Sequence, residues 1–235
     1  MQSNSGRIIV LEGLDCSFKE TNSNLLAEYI RKTENRKVEV VHFPLYGEPS
    51  AWFVEQFLAG NFGMNKDLSS GAISTFYMID MFAYMNQKGK ALLESGVDLI
   101  LDRYWYCNIF YRLGKARLEG EDGFISSIEE ETIISTINHL VSQFSLPEPS
   151  LLIKMITNKD VMINYVKNKN SKKDIFEADY DYLRAVYDSF ISCDLKGYIN
   201  NDCTYGEVFV IDKDLNVKSK DSILEDVIKI YKKCG

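Results

Sequence analysis

The chain has 235 residues, of which 46% are apolar and 26% charged, and these globular proportions exclude disordered, collagen-like and low-complexity classes. With 27 Lys+Arg against 34 Asp+Glu, the formal net charge is −7. That balance argues against a general nucleic-acid binder, which needs a basic stripe, but leaves room for a small phosphorylated ligand held by a local basic pocket.

The cysteines are Cys16, Cys107, Cys193, Cys203 and Cys234, an odd number with irregular spacing and no CxxC pair. Neither a disulfide framework nor a zinc site is expected. The N-terminus lacks signal-peptide character, and no apolar run approaches the ~18 residues of a membrane span. The expectation is one reduced, cytoplasmic domain over residues 1–235 that touches neither membrane nor nucleic acid.

In chain order, the β-branched run Ile8 to Leu11, closed by Gly13, predicts a buried strand. Apolar positions at helical spacing predict a helix over Lys19 to Lys32. Val38 to Val41 reads as a second strand, cut off by Phe43 and Pro44. Ser50 to Ala59 reads as a helix with Ser50 as its N-cap, and Ser69 to Glu94 as a long helix stopped by Gly96. Val97 to Leu101 is the third expected strand, followed by a helix that fades at Gly114. Ser127 to Phe144 is helical, Leu151 to Ile156 is the fourth strand, and Asp160 to Val166 is helical again. A lysine-rich interruption, Lys167 to Lys173, precedes a helical pattern from Ile175 to Leu195. Val208 to Ile211 is the fifth expected strand, and Ser219 or Asp221 caps a last helix to Lys233.

Strands alternating with helices predict an α/β fold, a mostly parallel five-stranded sheet with helices on both faces. Such sheets bind ligands outside the carboxyl ends of their strands. Three of those ends carry unusual polar residues: Gly13 to Thr21, Phe43 to Tyr46, and Asp102 to Tyr104.

The first of these reads Gly13-Leu14-Asp15-Cys16-Ser17-Phe18-Lys19-Glu20-Thr21. The phosphate-loop pattern G-x-x-x-x-G-K-[ST] keeps its first Gly and its Lys, in the right strand–turn–helix context. Phe18 replaces the second Gly and Glu20 the Ser or Thr. A side chain at Phe18 threatens the path on which backbone N–H groups converge on phosphate. Glu20 is still a hard oxygen ligand, and Lys19 still a point charge for phosphates.

These residues, with Phe43-Pro44, Thr75 to Asp80, Asp102-Arg103-Tyr104, Leu146 to Pro149 and Lys172 to Glu177, resemble thymidylate kinases over nearly the whole chain. More narrowly, Phe43 to Ala51 is similar to the acceptor region of a bacterial branch whose loop reads GKET. The resemblance implies a three-layer phosphate-loop kinase with an acceptor-binding region at about 43–81 and a mobile lid at about 160–177. It implies transfer of the ATP γ-phosphoryl to a nucleoside monophosphate, by default dTMP to dTDP, with Mg²⁺, in a homodimer. By the same resemblance, Lys19 and the backbone of Gly13 to Thr21 hold the ATP phosphates. Asp15 faces the acceptor sugar, Arg103 holds the acceptor phosphate, and Asp102 and Glu20 place Mg²⁺. Tyr77 stacks on the base, Tyr111, Phe43 and Tyr46 line the same pocket, and Lys169, Lys172, Lys173 and Glu177 belong to the lid.

The sequence departs from that pattern at Phe18, at Met81 (where the family carries an arginine that contacts the base), at Cys107 in place of Ser, at Leu45 and at Ile175. Two readings therefore stay open: an active nucleoside monophosphate kinase, or a nucleotide-binding relative with weakened or lost turnover. Tyr77 also reads as core packing, Asp102 and Arg103 as a surface ion pair, and His42 and His139 as structural. Cys16 has no basic histidine near it in sequence and is not read as a nucleophile.

Overall fold

A computed structural model describes residues 5–120, 125–170 and 172–234. The residues before Ser5, and Ser171 within the expected lid, lie outside the described residues. Five strands, β1 (Ile8–Gly13), β2 (Val38–His42), β3 (Asp98–Asp102), β4 (Leu151–Ile156) and β5 (Thr204–Phe209), form one sheet in the order β2-β3-β1-β4-β5. Every pairing is parallel. The reason lies in the strands themselves: β1, β3 and β4 are buried along their whole length, as central strands covered on both faces must be. Ile8, Val10, Leu99 and Leu101 point to one core layer, while Ile9, Leu11, Ile100 and Ile153 point to the other, the period-two alternation of a pleated strand.

Helices α1 (Lys19–Glu34) and α9 (Lys220–Tyr231) cover the second layer. Helices α3 (Ser70–Tyr84), α5 (Cys107–Glu119) and α6 (Ser127–Gln143) cover the first. A third cluster, rich in aromatic side chains, joins α2 (Trp52–Leu58), α5, α7 (Lys159–Asn168) and α8 (Tyr180–Ser192) beyond the sheet edge. No described helix is long and apolar enough to cross a membrane.

The amino end of the sheet is fixed by charge. Asp98 is fully buried and accepts from the Arg7 backbone N–H at 2.8 Å, from Arg7 Nη2 at 2.6 Å and from Arg36 Nη2 at 2.7 Å. Burial pushes its carboxyl up, but the Arg36 and Arg7 hydrogen bonds overcome that and hold it below the usual range.

Several expected boundaries move. The fifth strand begins at Thr204, not Val208, because an edge strand left partly exposed tolerates Thr204 and Glu207. Ser50 is not a cap: it sits in a 3₁₀ turn, Pro49–Ala51, and α2 starts at Trp52. The long helix expected over Ser69 to Glu94 is present and capped by Ser69, with a π turn, Met85–Gly89, set between α3 and α4 (Lys90–Glu94). The pattern from Ile175 becomes helix only at Tyr180, with Asp179 as N-cap.

Gly114 does not end its helix. It lies inside α5, where a Cβ would stand 2.6 Å from the Val186 Cα of α8. The missing side chain is what lets the two helices touch backbone to backbone. Gly114→Ala is therefore expected to destabilise the fold by about 1–3 kcal/mol through overpacking, despite alanine's better helix propensity. Urea unfolding of the variant checks this, and equal or greater stability would mean that α8 shifts freely.

Candidate functional site

The loop after β1 is built for close approach. A Cβ on Gly13 would lie 2.6 Å from the Met155 carbonyl oxygen of β4 and 2.6 Å from Ser17 Oγ, so only glycine passes there. Cys16 and Phe18 both adopt left-handed backbone, at φ 62° and 58°. Phe18 is the residue that caps α1, and it holds the conformation a glycine would hold without strain. Its ring does not enter the loop. It packs, half-buried, against the layer of Ile9, Leu11 and Leu26, and it is absent from the cleft lining.

Lys19 is buried beneath the loop and donates to the Leu14 carbonyl at 2.8 Å and to Ser17 Oγ at 3.1 Å. Burial, and then the neighbouring positive charge of Arg103, pull its ammonium down to about 8. Asp15 and Glu20 line the cleft above, and Thr21 follows in the first turn of α1.

The ends of β1 and β3 are stitched together. Arg103, at φ 68°, donates its backbone N–H to the Leu11 carbonyl at 3.0 Å. Its guanidinium donates to the Gly13 carbonyl at 3.0 Å and to Asp15 Oδ1 at 2.7 Å. From the other side, Glu12 Oε1 accepts the N–H of Tyr104 at 2.8 Å and of Cys107 at 3.2 Å, while Oε2 is buried without a partner. Burial drives the Glu12 carboxyl up to about 8 against the pull of those N–H bonds and of Arg103 and Lys19. At neutral pH it is mainly the uncharged acid, the form that an enclosed site accepts.

Asp102 ends β3. Its Oδ2 meets His42 Nδ1 at 3.1 Å, and its Oδ1 is buried without a partner. Among the described residues no three His, Cys, Asp or Glu side chains form a metal cluster. The free oxygen of Asp102, with Glu20 in the cleft wall, is instead the sparse hard-oxygen set that suits a magnesium ion carried mostly by phosphates.

The cleft has a volume of about 850 Å³. Asp15, Phe43, Tyr46, Tyr77, Arg103 and Tyr111, the acceptor residues expected from the sequence, all line it. So do Lys169, Lys172, Lys173 and Glu177. Gly13 and Lys19 lie below its floor rather than on its wall, and Asp102 is likewise outside the lining. The segment carrying Phe43 and Tyr46 is held by Asp80, which accepts the Leu45 N–H at 2.8 Å and the Ser50 hydroxyl at 2.6 Å. In the lysine-rich segment before α8, Lys169 pairs with Glu177 at 2.5 Å, and Lys173 donates to the Tyr180 hydroxyl at 2.6 Å.

Sequence reasoning assigned no role to Glu12, Asp80 or Arg112 and read His42 as structural. The signals were present. Glu12 is a carboxylate in an otherwise apolar strand, and Cys107, Asn108, Tyr111 and Arg112 recur at helical spacing on the α5 face that meets the cleft.

The chain matches no protein-family model. It is 34% identical over 113 residues to thymidylate kinase from Plasmodium falciparum, a match covering 48% of this chain and 51% of that protein, so the chain spans about half of that relative's length. It is 25% identical over 229 residues to thymidylate kinase from Leptospira borgpetersenii, covering 95% of this chain and 92% of that one. Among solved structures, thymidylate kinase from Candida albicans superposes with a TM-score of 0.66 at 21% identity, over 98% of this chain and 94% of that one. At that identity the likeness establishes the fold alone, a parallel five-stranded α/β sheet covered by helices on both faces.

Two expectations follow from the loop. A triphosphate favours the charged form of Lys19, so binding near pH 8 is expected to take up about half a proton at this side chain, and affinity to fall as pH rises through about 8. Calorimetry in buffers of different ionisation enthalpy reads the uptake; none at pH 8 would contradict a buried, partly neutral Lys19. Because the Phe18 ring lies outside the cleft, Phe18→Gly is expected to leave ATP affinity within about threefold, well under ~1 kcal/mol. A tenfold gain would show that the ring does obstruct the loop.

Proposed function

We propose that this chain is an ATP-dependent nucleoside monophosphate kinase, by default one that converts dTMP to dTDP. One observation carries the reading: the loop after β1, the Arg103 turn after β3, the segment holding Tyr46 and the lysine-bearing lid all converge on one cleft at the carboxyl end of the sheet. The named relatives are thymidylate kinases. The GKET-type bacterial loop is the comparison that accommodates Glu20, and a homodimer is the assembly the resemblance implies.

In this reading an oxygen of the acceptor's 5′-phosphate attacks the γ-phosphorus, the bond from that phosphorus to the β,γ-bridging oxygen breaks, and ADP departs. Such transfer needs positioning and charge neutralisation more than covalent chemistry. Lys19 and the loop N–H groups hold the triphosphate. Arg103 turns its fork to the acceptor phosphate, with Asp15 steadying the guanidinium from one side. Glu12 keeps the Tyr104 turn in place by accepting two of its N–H groups. Asp102 and Glu20 would hold Mg²⁺, which supplies charge neutralisation across the phosphates when bound. Lys169, Lys172 and Lys173 bring further positive charge from the lid and exclude water when it closes.

The alternative, a nucleotide-binding relative without turnover, draws on Met81, which lines the cleft where the resemblance leads one to expect a donor. A coupled ADP-release assay over a panel of nucleoside monophosphates separates the two. Tight ATP binding with no acceptor-dependent ADP release favours the alternative. Within the kinase reading, Arg103→Ala is expected to weaken monophosphate binding by about tenfold or more, ~1.4 kcal/mol, while ATP affinity changes less than about threefold. Equal losses for both ligands would contradict the assignment of Arg103 to the acceptor.

A further inference from the structure

The most unusual side chain in the cleft is one that neither the sequence motif nor the proposed chemistry uses. Arg112 lies on α5, is 1% exposed and lines the cleft beside Tyr77, Met81 and Phe176. Its Nε and Nη1 are buried and have no hydrogen-bond partner, and no acidic side chain among the described residues pairs with it. The guanidinium carbon stands 5.8 Å from the centre of the Phe176 ring, and Tyr77, Cys107 and Tyr182 all feel its charge. The other arginine of the cleft wall, Arg103, donates to Gly13 and Asp15 and is the one assigned to the acceptor phosphate.

A buried guanidinium with idle N–H donors is costly unless something accepts from it. Stacking on Phe176 orients the plane but satisfies none of those donors. The aromatic wall of Tyr77 and Tyr111 suits a flat heterocycle, and Arg112 lines the space that heterocycle would fill. Met81 contributes packing to the same wall but no hydrogen bond.

We infer that Arg112 reads the edge of the acceptor's base, and that it selects bases presenting a carbonyl oxygen over bases presenting an amino group at the same place. The inference rests on the proposed nucleoside monophosphate kinase reading and names its substrate class: thymine, uracil or guanine nucleotides, against cytosine and adenine. A carbonyl accepts from the guanidinium. An amino group there points a second donor at the first and leaves Arg112 unpaired, the situation in which a polar site discriminates most strongly. Guanine offers two adjacent acceptors, O6 and N7, which match an arginine fork.

The test is a binding measurement, independent of turnover. dTMP and 5-methyl-dCMP have the same size and differ at the C4 edge; dGMP and dAMP form the corresponding purine pair. The wild-type chain is expected to bind dTMP at least about tenfold more tightly than 5-methyl-dCMP. In Arg112→Met the ratio is expected to shrink below about threefold through loss of dTMP affinity, with 5-methyl-dCMP and ATP nearly unchanged. No oxo preference in the wild type, a ratio preserved in the variant, or equal losses for both pyrimidines would overturn the inference, the last marking a purely structural arginine. Should Arg112→Met fail to fold, Arg112→Lys, which keeps the charge but loses the fork, must still cut the ratio at least threefold. Absence of ADP release with every acceptor would defeat the kinase reading while leaving the binding ratio to decide Arg112 on its own.

Discussion

Everything in the cleft depends on the seam between the carboxyl ends of β1 and β3. Parallel neighbours in a buried sheet end side by side, so the chain must turn away from both without leaving polar backbone groups unpaired. Here the turns satisfy each other. Arg103 gives its backbone N–H to Leu11 and its guanidinium to Gly13 and Asp15, while Glu12 takes the N–H groups at the start of α5. The consequence is that Asp15 on one turn and Arg103 on the other are set in one frame by direct contact.

The seam also settles the local electrostatics. A chain with formal charge −7 nonetheless surrounds this cleft with Lys19, Arg103, Arg112 and the lid lysines. Burial acts on them in opposite senses to their partners: it lowers Lys19 and raises Glu12, so the two have weaker charges at neutral pH than their formulas suggest. An incoming anion therefore meets a site whose positive charge grows as the ligand arrives.

The sheet's inner strands were legible because burial on both faces demands unbroken apolar runs, and those runs stand out: β4 is bounded by the very residues expected, Leu151 and Ile156, and β1 and β3 fall within two. The edge strand was displaced because Thr204, Gly206 and Glu207 carry no such mark. Helix ends misled where a residue had a tertiary reason to be there. Gly114 looks like a stop signal but makes room for α8, and Ser50 looks like a cap but donates to Asp80. For the cleft, the strand ends carrying Gly13 to Thr21, Phe43 to Tyr46 and Asp102 to Tyr104 stood out as polar in the sequence, and the resemblance supplied the rest. Glu12, Asp80 and Arg112 could not be given a role, since their importance lies in which distant groups they face. A carboxylate in strand β1 becomes meaningful only once the Tyr104 N–H is known to be 2.8 Å away.

Phe18 has a consequence for how the loop moves. Glycine at this position would let the backbone roam between left- and right-handed conformations, and that freedom would have to be lost whenever a phosphate was gripped. A phenylalanine packed against the core layer that β1 shares with α1 acts as an apolar peg, fixing the hinge between loop and helix to the sheet beneath. The loop is thereby ordered in advance, and its amide protons at this corner are expected to exchange with solvent slowly even in the free protein. The substitution that reads as damage in the motif is, physically, an exchange of flexibility for anchorage.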